Sequence, residues 1–201
     1  MRTGRLSVSL GAILLGALLY SALSFYELAA LLAPVLVHEL GHLLMLRLFG
    51  LRVRGFRFDL RGLCIEYGGY AEPFSHGVAA FAGPAAGLAY AFAASYFARR
   101  CGNGALALSA GVSLLLSLFN LLPVLPLDGG RIFSLIADGL LGAKKGARLT
   151  AAVGLALSSA LLVCGLYVMW RGEGTALLLA ALWLLLAQPD KAILVNHREL
   201  L

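Results

Sequence analysis

Apolar residues fill most of this chain in long runs with few charges between them. A helix needs about 20 mostly apolar residues to cross the hydrocarbon core of a membrane. Stretches near that length cover residues 6–26, 28–49, 74–98, 105–126, 149–170 and 175–187. The pattern therefore predicts an all-α polytopic membrane protein with about six transmembrane helices. Because no repeat or linker divides the chain, residues 1–201 are expected to form a single domain.

The segment between the second and third predicted spans has a different pattern. Hydrophobic and charged residues alternate from Leu51 to Tyr67, with breaks at Gly55 and at Arg61-Gly62. Such period-two alternation is typical of short strands or a hairpin. An amphipathic loop lying on lipid headgroups is the alternative. If strands form here, a free strand edge can receive an extended peptide by strand addition.

Composition supports the membrane interpretation. The chain is 61% hydrophobic and 13% charged, with a mean hydropathy of +0.90. An ordinary soluble domain is about half apolar and a quarter charged. The three cysteines, Cys64, Cys101 and Cys164, are far apart and form no C-x-x-C pair. Neither a disulfide framework nor a cysteine metal site is therefore expected.

The net charge of +6 comes from basic residues whose distribution is typical of a membrane protein. With a cytoplasmic N-terminus, 13 of the 16 basic residues fall on the inside, and only Arg99, Arg100 and Arg171 fall outside. The positive-inside rule then places both termini in the cytoplasm, in a membrane that we expect to be prokaryotic. The chain has no basic run with interleaved aromatic residues, so nucleic-acid binding is not expected. The basic start also fits a signal anchor, but its apolar run exceeds a signal core, which favours a retained span.

The second predicted span contains His38-Glu39-Leu40-Gly41-His42. Side chains four apart lie on one face of a helix, so His38 and His42 can reach a single ion. Glu39, beside His38, can hold a water molecule on the metal and take its proton. This is the H-E-x-x-H arrangement of zinc hydrolases. An ionisable cluster at membrane depth is costly unless it is paired or metal-bound, which further favours a metal site.

A catalytic zinc usually takes three protein ligands, so a third residue is needed. Asp128 is the only acidic residue between Glu72 and Asp138, and it follows a proline-broken helix end. Gly129-Gly130 predicts a tight turn that aims this carboxylate inward. Asn120, on the preceding span, is a candidate to hydrogen-bond a substrate carbonyl or strand. The alternatives are an interfacial Asp128 and an interhelical hydrogen bond from Asn120.

The third predicted span contains Phe81-Ala82-Gly83-Pro84-Ala85-Ala86-Gly87. Small residues let membrane helices approach closely, and Pro84 frees a backbone carbonyl. Simple helix packing explains this segment equally well.

Together, H-E-L-G-H and N-L-L-P-V-L-P-L-D-G-G-R (residues 120–131) resemble the site-2 protease family of intramembrane zinc metalloproteases. The six-span layout, without PDZ or CBS domains, is most similar to the stage-IV sporulation branch, which processes a membrane-associated pro-sigma factor. The resemblance implies one Zn²⁺ held by His38, His42 and Asp128. It also implies Glu39 as general base, with Asn120 and the metal polarising the scissile carbonyl.

The partners that this resemblance implies are a membrane-spanning or membrane-associated protein substrate, the lipid bilayer and a membrane regulatory protein. The substrate, the regulator and the oligomeric state stay open. Two other classes of function compete: a non-cleaving zinc-binding chaperone or pseudoprotease, and a transporter. The intact Glu39 argues against the first, and the lack of repeated halves argues against the second.

Overall fold

The apolar runs fold as helices, which a small sheet accompanies. The computed structural model describes residues 5–59, 62–68 and 73–188. Their elements in order are β1 (Arg5–Val8), α1 (Leu10–Ala22), α2 (Phe25–Leu48), β2 (Arg52–Asp59), β3 (Gly62–Gly68), α3 (Pro73–Cys101), α4 (Gly104–Asn120), α5 (Asp128–Leu141), α6 (Ala143–Trp170) and α7 (Ala176–Ala187).

Two compact units divide the chain, Met1–Phe119 and Asn120–Leu201. The single protease domain expected from the sequence stays a prediction. The membrane topology was predicted from the distribution of basic residues. Four of these lie outside the part of the chain that the structure describes: Arg2, Arg61, Lys191 and Arg198.

Helices α2, α3 and α6 are long and apolar enough to cross a membrane. The qualifying segments are Phe25–Leu48, Phe74–Cys101 and Ala143–Trp170, with mean hydropathies of 1.7, 1.4 and 2.1. They confirm that the second, third and fifth predicted spans are candidate membrane helices. Helices α1, α4 and α7 have 13, 17 and 12 residues and are shorter than a span usually requires. The arrangement of six spans stays a prediction.

Two helix boundaries differ most from the predicted ones. The fourth span was predicted to reach Pro126, but α4 ends at Asn120, because Pro123 and Pro126 cannot continue a hydrogen-bonded helix. The fifth was predicted to start at Leu149, whereas α6 starts at Ala143. Helix α5 was not predicted. It is separated from α6 by Gly142, whose φ of 78° is a conformation that favours glycine.

The alternating segment after α2 forms strands, as the alternation predicted. Strands β2 and β3 pair antiparallel from Arg52↔Gly68 to Asp59↔Gly62, with an irregularity between Val53 and Gly55. The sheet has a third member that the sequence did not indicate. Strand β1, at the start of the first predicted span, pairs parallel to β2 and gives the order β1-β2-β3.

A capping box defines the start of α2, the helix that carries the histidines. Ser24 and Glu27 form a capping box, in which the Glu27 N–H donates to Ser24 Oγ (3.3 Å) and the Ser24 N–H donates to Glu27 Oε2 (2.9 Å). These bonds satisfy backbone donors at the helix start. The helix ends before Gly50, which has a φ of 72°.

In the second unit, small residues along α6 let its neighbours approach. A Cβ added at Gly146 would lie 2.7 Å from backbone atoms of Ala137 and Asp138 in α5. A Cβ at Gly165 would lie 2.7 Å from the Cα of Leu178 in α7. The backbones therefore pack closely, as is common where membrane helices associate.

Candidate metal centre

Helix α2 has two contrasting faces, and the histidines lie on the buried one. Residues four apart point in nearly the same direction on a helix. The buried series is Ala30, Pro34 and His38, followed by half-buried His42 and buried Leu46. The exposed series on the other side is Leu32, Leu36, Leu40, Leu44 and Leu48. This pattern suits a helix that presents leucines to lipid and imidazoles to the protein.

The two imidazole rings converge at their Nε2 atoms. These atoms lie 3.2 Å apart, and the rings are nearly perpendicular at 83°. His38 is 4% exposed. Two ligand nitrogens at 2.0–2.1 Å from a tetrahedral zinc lie about 3.3 Å apart. The spacing of the two Nε2 atoms therefore fits ligation of one zinc ion.

A backbone carbonyl orients His42. Its Nδ1 lies 2.7 Å from the carbonyl oxygen of Ala79 in α3. Because a carbonyl only accepts, Nδ1 carries the proton and donates, which leaves the lone pair of the neutral ring on Nε2. Metal-binding histidines commonly donate their other N–H in this way, which fixes the ring and its tautomer.

Glycines make room for this arrangement between α2 and α3. A Cβ added at Gly83 would overlap the His42 ring, so the ring occupies the space that a side chain at Gly83 would take. A Cβ at Gly41 would lie 2.6 Å from the carbonyl oxygen of Ala82. The Gly83-Pro84 segment therefore has a packing role, in line with the simple helix packing considered from the sequence. It also borders His42, a candidate metal ligand.

Asp128 occupies the first turn of a helix in the second unit. It is the first residue of α5 and is 7% exposed. The positive end of the helix dipole favours a carboxylate there. The guanidinium of Arg131 lies 3.9 Å from its Oδ1, at the long limit of an ion pair. Asp128 is therefore a buried carboxylate beside the N-terminus of α5 and the guanidinium of Arg131.

The glycines after Asp128 do not form the predicted turn. Gly129 and Gly130 are helical and buried in the first turn of α5. They are needed because a Cβ at Gly129 would overlap the Leu121 carbonyl, and one at Gly130 would overlap the backbone of Val124. The preceding loop folds tightly over this turn, and the Leu127 N–H donates to the Val124 carbonyl at 2.9 Å.

His38, His42 and Asp128 are the three metal ligands that the sequence predicts, and the Nε2 atoms of the two histidines converge within the first unit. Two imidazole nitrogens and one carboxylate oxygen form a donor set suited to catalytic zinc, which commonly takes three protein ligands. The residues present therefore fit the metal that the sequence predicted.

The other predicted site residues have untested roles. Glu39 is half-buried and follows His38 on α2, and Asn120 is half-buried at the end of α4. Their functions stay predictions. Sequence reasoning missed the carbonyl of Ala79, because a backbone acceptor has no signature in the sequence. It also passed over Gly41, whose small size inside the H-E-L-G-H motif was the available signal.

Parts of this chain are similar to known proteins. Residues 97–163 match the family described as Peptidase family M50. The matched segment includes Asn120 and Asp128 and does not include the two histidines. A Mycobacterium tuberculosis relative named "Putative zinc metalloprotease Rip3" is 36% identical over 168 residues, which cover 73% of this chain and 43% of the relative.

A second relative, "Putative zinc metalloprotease sll0528" of Synechocystis sp., is 32% identical over 124 residues, covering 56% of this chain and 31% of the relative. The chain thus spans less than half the length of these two relatives. The fold is shared with a solved structure, the Site-2 Protease from Methanocaldococcus jannaschii. That likeness has a TM-score of 0.68 and 22% identity, and covers 90% of this chain and 88% of that chain. The two relatives are named as metalloproteases over lengths that this chain only partly covers, and the structural likeness shows a shared fold.

Proposed function

We propose that the chain is an intramembrane zinc endopeptidase of Peptidase family M50, of the site-2 protease type. The observation that carries the proposal is the pair of Nε2 atoms 3.2 Å apart, in which the Ala79 carbonyl orients the ring of His42. Asp128 is the proposed third ligand, as the motif of residues 120–131 predicts. The metallopeptidase relatives support the same assignment.

His38, His42 and Asp128 would hold the metal, each through one atom. The Ala79 carbonyl keeps the proton on His42 Nδ1, so Nε2 stays available as a ligand. When bound, zinc supplies a Lewis acid that polarises a substrate carbonyl and lowers the pKa of a water molecule. The low exposure of His38 and Asp128 limits competition from bulk water for these positions.

Glu39 is the proposed general base. Its carboxylate accepts a proton from the water that attacks the scissile carbonyl carbon. The same carboxyl group then gives that proton to the leaving amine nitrogen as the C–N bond breaks. Position 39 suits this role because it directly follows a ligand on the same helix turn.

The proposed substrate is a membrane-spanning or membrane-associated protein, since the histidines lie on an apolar helix long enough to span a bilayer. A membrane helix must unwind before its backbone can be attacked. Among the described strands, β3 pairs on one side only, with β2. An extended substrate would pair with the other edge of β3, and Asn120 would bind its carbonyl. Release of a membrane-tethered transcription factor, such as a pro-sigma factor, belongs to the same proposal.

The membrane arrangement follows from the charge count. Six spans with both termini in the cytoplasm place the site on the cytoplasmic side. A membrane regulatory protein that controls access to the site is a further part of this proposal.

Comparison of protein N-termini in host cells tests the proteolytic activity. Three strains would carry the native chain, the Glu39→Gln variant and the Glu173→Gln variant at equal abundance. Glu173 is exposed beyond α6 and lies outside the proposed machinery, so its variant controls for the loss of one carboxylate. We expect new N-termini inside or beside membrane segments with the native chain and Glu173→Gln, and none with Glu39→Gln.

The zinc content of the purified proteins completes the test. Glu39→Gln should retain zinc at the native level, because Glu39 is not a proposed ligand. Cleavage by Glu39→Gln at the native rate would refute the assigned base. Identical N-termini in all three strains, with zinc bound in each, would favour the non-cleaving zinc protein instead.

A further inference from the structure

An open groove lies in the first unit between the second half of α3 and the first half of α4. Its volume is about 560 Å³, which is within the usual range for small-ligand sites of roughly 300–1,000 Å³. Small buried residues, Ala91, Ala98 and Ala110, line its base. The larger side chains of Phe92 and Leu114 are exposed beside them. Along most of its length the groove is therefore apolar.

One end of the groove is polar and positively charged. Arg99, in the last turn of α3, lines the groove there together with Asn103. The Arg99 guanidinium is exposed and forms no ion pair or hydrogen bond with any residue that the structure describes. The neighbouring Arg100 differs, since it lies over the Tyr96 ring at 5.3 Å and does not line the groove. Among the described residues, Arg99 is thus a charge without an ion-pair partner at one end of an apolar groove.

The length of the groove matches one leaflet of a bilayer. Its α4 wall runs from Gly104 to Leu114, and ten residues of helix advance about 15 Å. The hydrocarbon core of a bilayer is about 30 Å thick, so half of it is also about 15 Å. Because α3 is a candidate span that ends at Cys101, Arg99 lies near a membrane boundary.

We propose that this groove binds one anionic glycerophospholipid. An acyl chain lies along the alanine base, and the phosphate pairs with Arg99. The apolar length of the groove accommodates an acyl chain, and the exposed guanidinium of Arg99 favours a headgroup with net negative charge. This binding site is independent of the proposed protease activity.

Lipid binding to the purified full chain tests the proposal. Native mass spectrometry would count bound lipids during titration with phosphatidylglycerol or phosphatidylcholine of the same chain length. We expect one phosphatidylglycerol to bind more tightly than phosphatidylcholine. Arg99→Gln should weaken phosphatidylglycerol binding about fivefold, the effect of about 1 kcal/mol per basic residue near an anionic surface. Arg100→Gln, the matched control, should stay within about twofold of the native chain, because its side chain lies outside the groove.

A second pair of variants tests the apolar part of the groove. A Cβ added at Gly111 or at Gly16 meets nothing within 4 Å, so both positions accept a larger side chain. Gly111 lines the groove and Gly16 lies on α1. Gly111→Leu should therefore abolish the tight phosphatidylglycerol adduct, and Gly16→Leu should preserve it. Helical content and thermal unfolding would show that both variants fold. If Gly111→Leu misfolds, the arginine pair decides.

Several results would overturn the proposal. Equal affinity for the two lipids, or equal loss in Arg99→Gln and Arg100→Gln, would leave only a general surface attraction. Displacement of the adduct by inorganic phosphate would show that charge alone is recognised, without the chain. A native dimer that Gly111→Leu dissociates would assign the groove to a helix of a second copy.

Discussion

Helices α2 and α3 in the first unit and α6 and α7 in the second come close for the same reason. In each pair, glycines face the neighbouring helix. Gly41 approaches the carbonyl of Ala82, and Gly165 approaches the backbone of Leu178. Small residues at such contacts are general in membranes, because they permit close packing of backbones where no hydrophobic force joins the helices.

The two pairs differ in what fills the space that glycine leaves. At Gly83 the space holds the ring of His42, which donates to a backbone carbonyl of α3. At Gly165 it holds the backbone of α7, and the polar contact of Gln188 Nε2 donating to Ser158 Oγ at 3.2 Å lies at another position along α6, near Gly154. Glycine alone therefore indicates only packing. It indicates a functional site where the group packed against it can bind a ligand.

The largest effect should follow loss of a metal ligand from α2, in the first of these two helix pairs. His38→Ala removes one of the two converging Nε2 atoms, so zinc affinity should fall by more than the 10- to 100-fold typical of an outer-shell change. Titration with zinc against a competing chelator measures the affinity. His76→Ala removes a half-buried histidine from α3 outside the site, and it should leave zinc affinity unchanged. Equal affinities in the two variants would remove His38 from the metal site.

Alanine at the two glycines separates the two kinds of contact. Gly83→Ala should lower zinc affinity about 10- to 100-fold, because the new methyl group displaces the His42 ring from its bond to Ala79. Gly165→Ala also overpacks a helix contact and should cost about 1–3 kcal/mol of unfolding free energy. Its zinc affinity should be native, since no ligand touches Gly165.

Zinc titration and thermal unfolding of both glycine variants would check this difference. If Gly165→Ala lost zinc as strongly as Gly83→Ala, general destabilisation would explain both results, and the contact at Gly83 would have no special role. Native zinc affinity in Gly83→Ala would show that the His42 ring tolerates displacement.

The features that the sequence predicted well depend on local spacing. Two histidines four apart share a helix face, and the alternation after Leu51 favoured strands over an amphipathic loop. Asp128 was found as the one acidic residue between Glu72 and Asp138, and it is buried at the start of α5. In each case one short segment contained the whole signal.

The features that the sequence did not predict depend on contacts between distant segments. Gly129-Gly130 was interpreted as a turn, because nothing local shows that Leu121 and Val124 fold back over this helix start. Most of strand β1 was predicted to be part of the first apolar span. Its pairing with β2 joins residues 50 positions apart, as in Arg5↔Gly55, and no local pattern shows it. The Ala79 carbonyl that orients His42 is a backbone atom, which any residue type would supply.

The smallest effects should come from buried serines that make or lack hydrogen bonds. Ser113 Oγ donates to the Gly87 carbonyl at 2.8 Å, whereas Ser117 Oγ is buried without a hydrogen-bond partner among the described residues. Ser113→Ala should cost about 0.6 kcal/mol, the average for an interhelical hydrogen bond in a membrane, and so should Ser158→Ala in the second unit. Ser117→Ala should cost nothing, because an unsatisfied buried hydroxyl does not stabilise.

Unfolding free energies of the three serine variants, with zinc affinity as a second readout, would check this ranking. All three should keep native zinc affinity. Their hydrogen bonds stabilise helix packing, and none of the three serines is a proposed metal ligand. A cost for Ser117→Ala as large as that for Ser113→Ala would mean that a buried water satisfies Ser117, because such waters bind otherwise unpaired polar groups. A loss of zinc in that variant alone would extend the metal centre to α4.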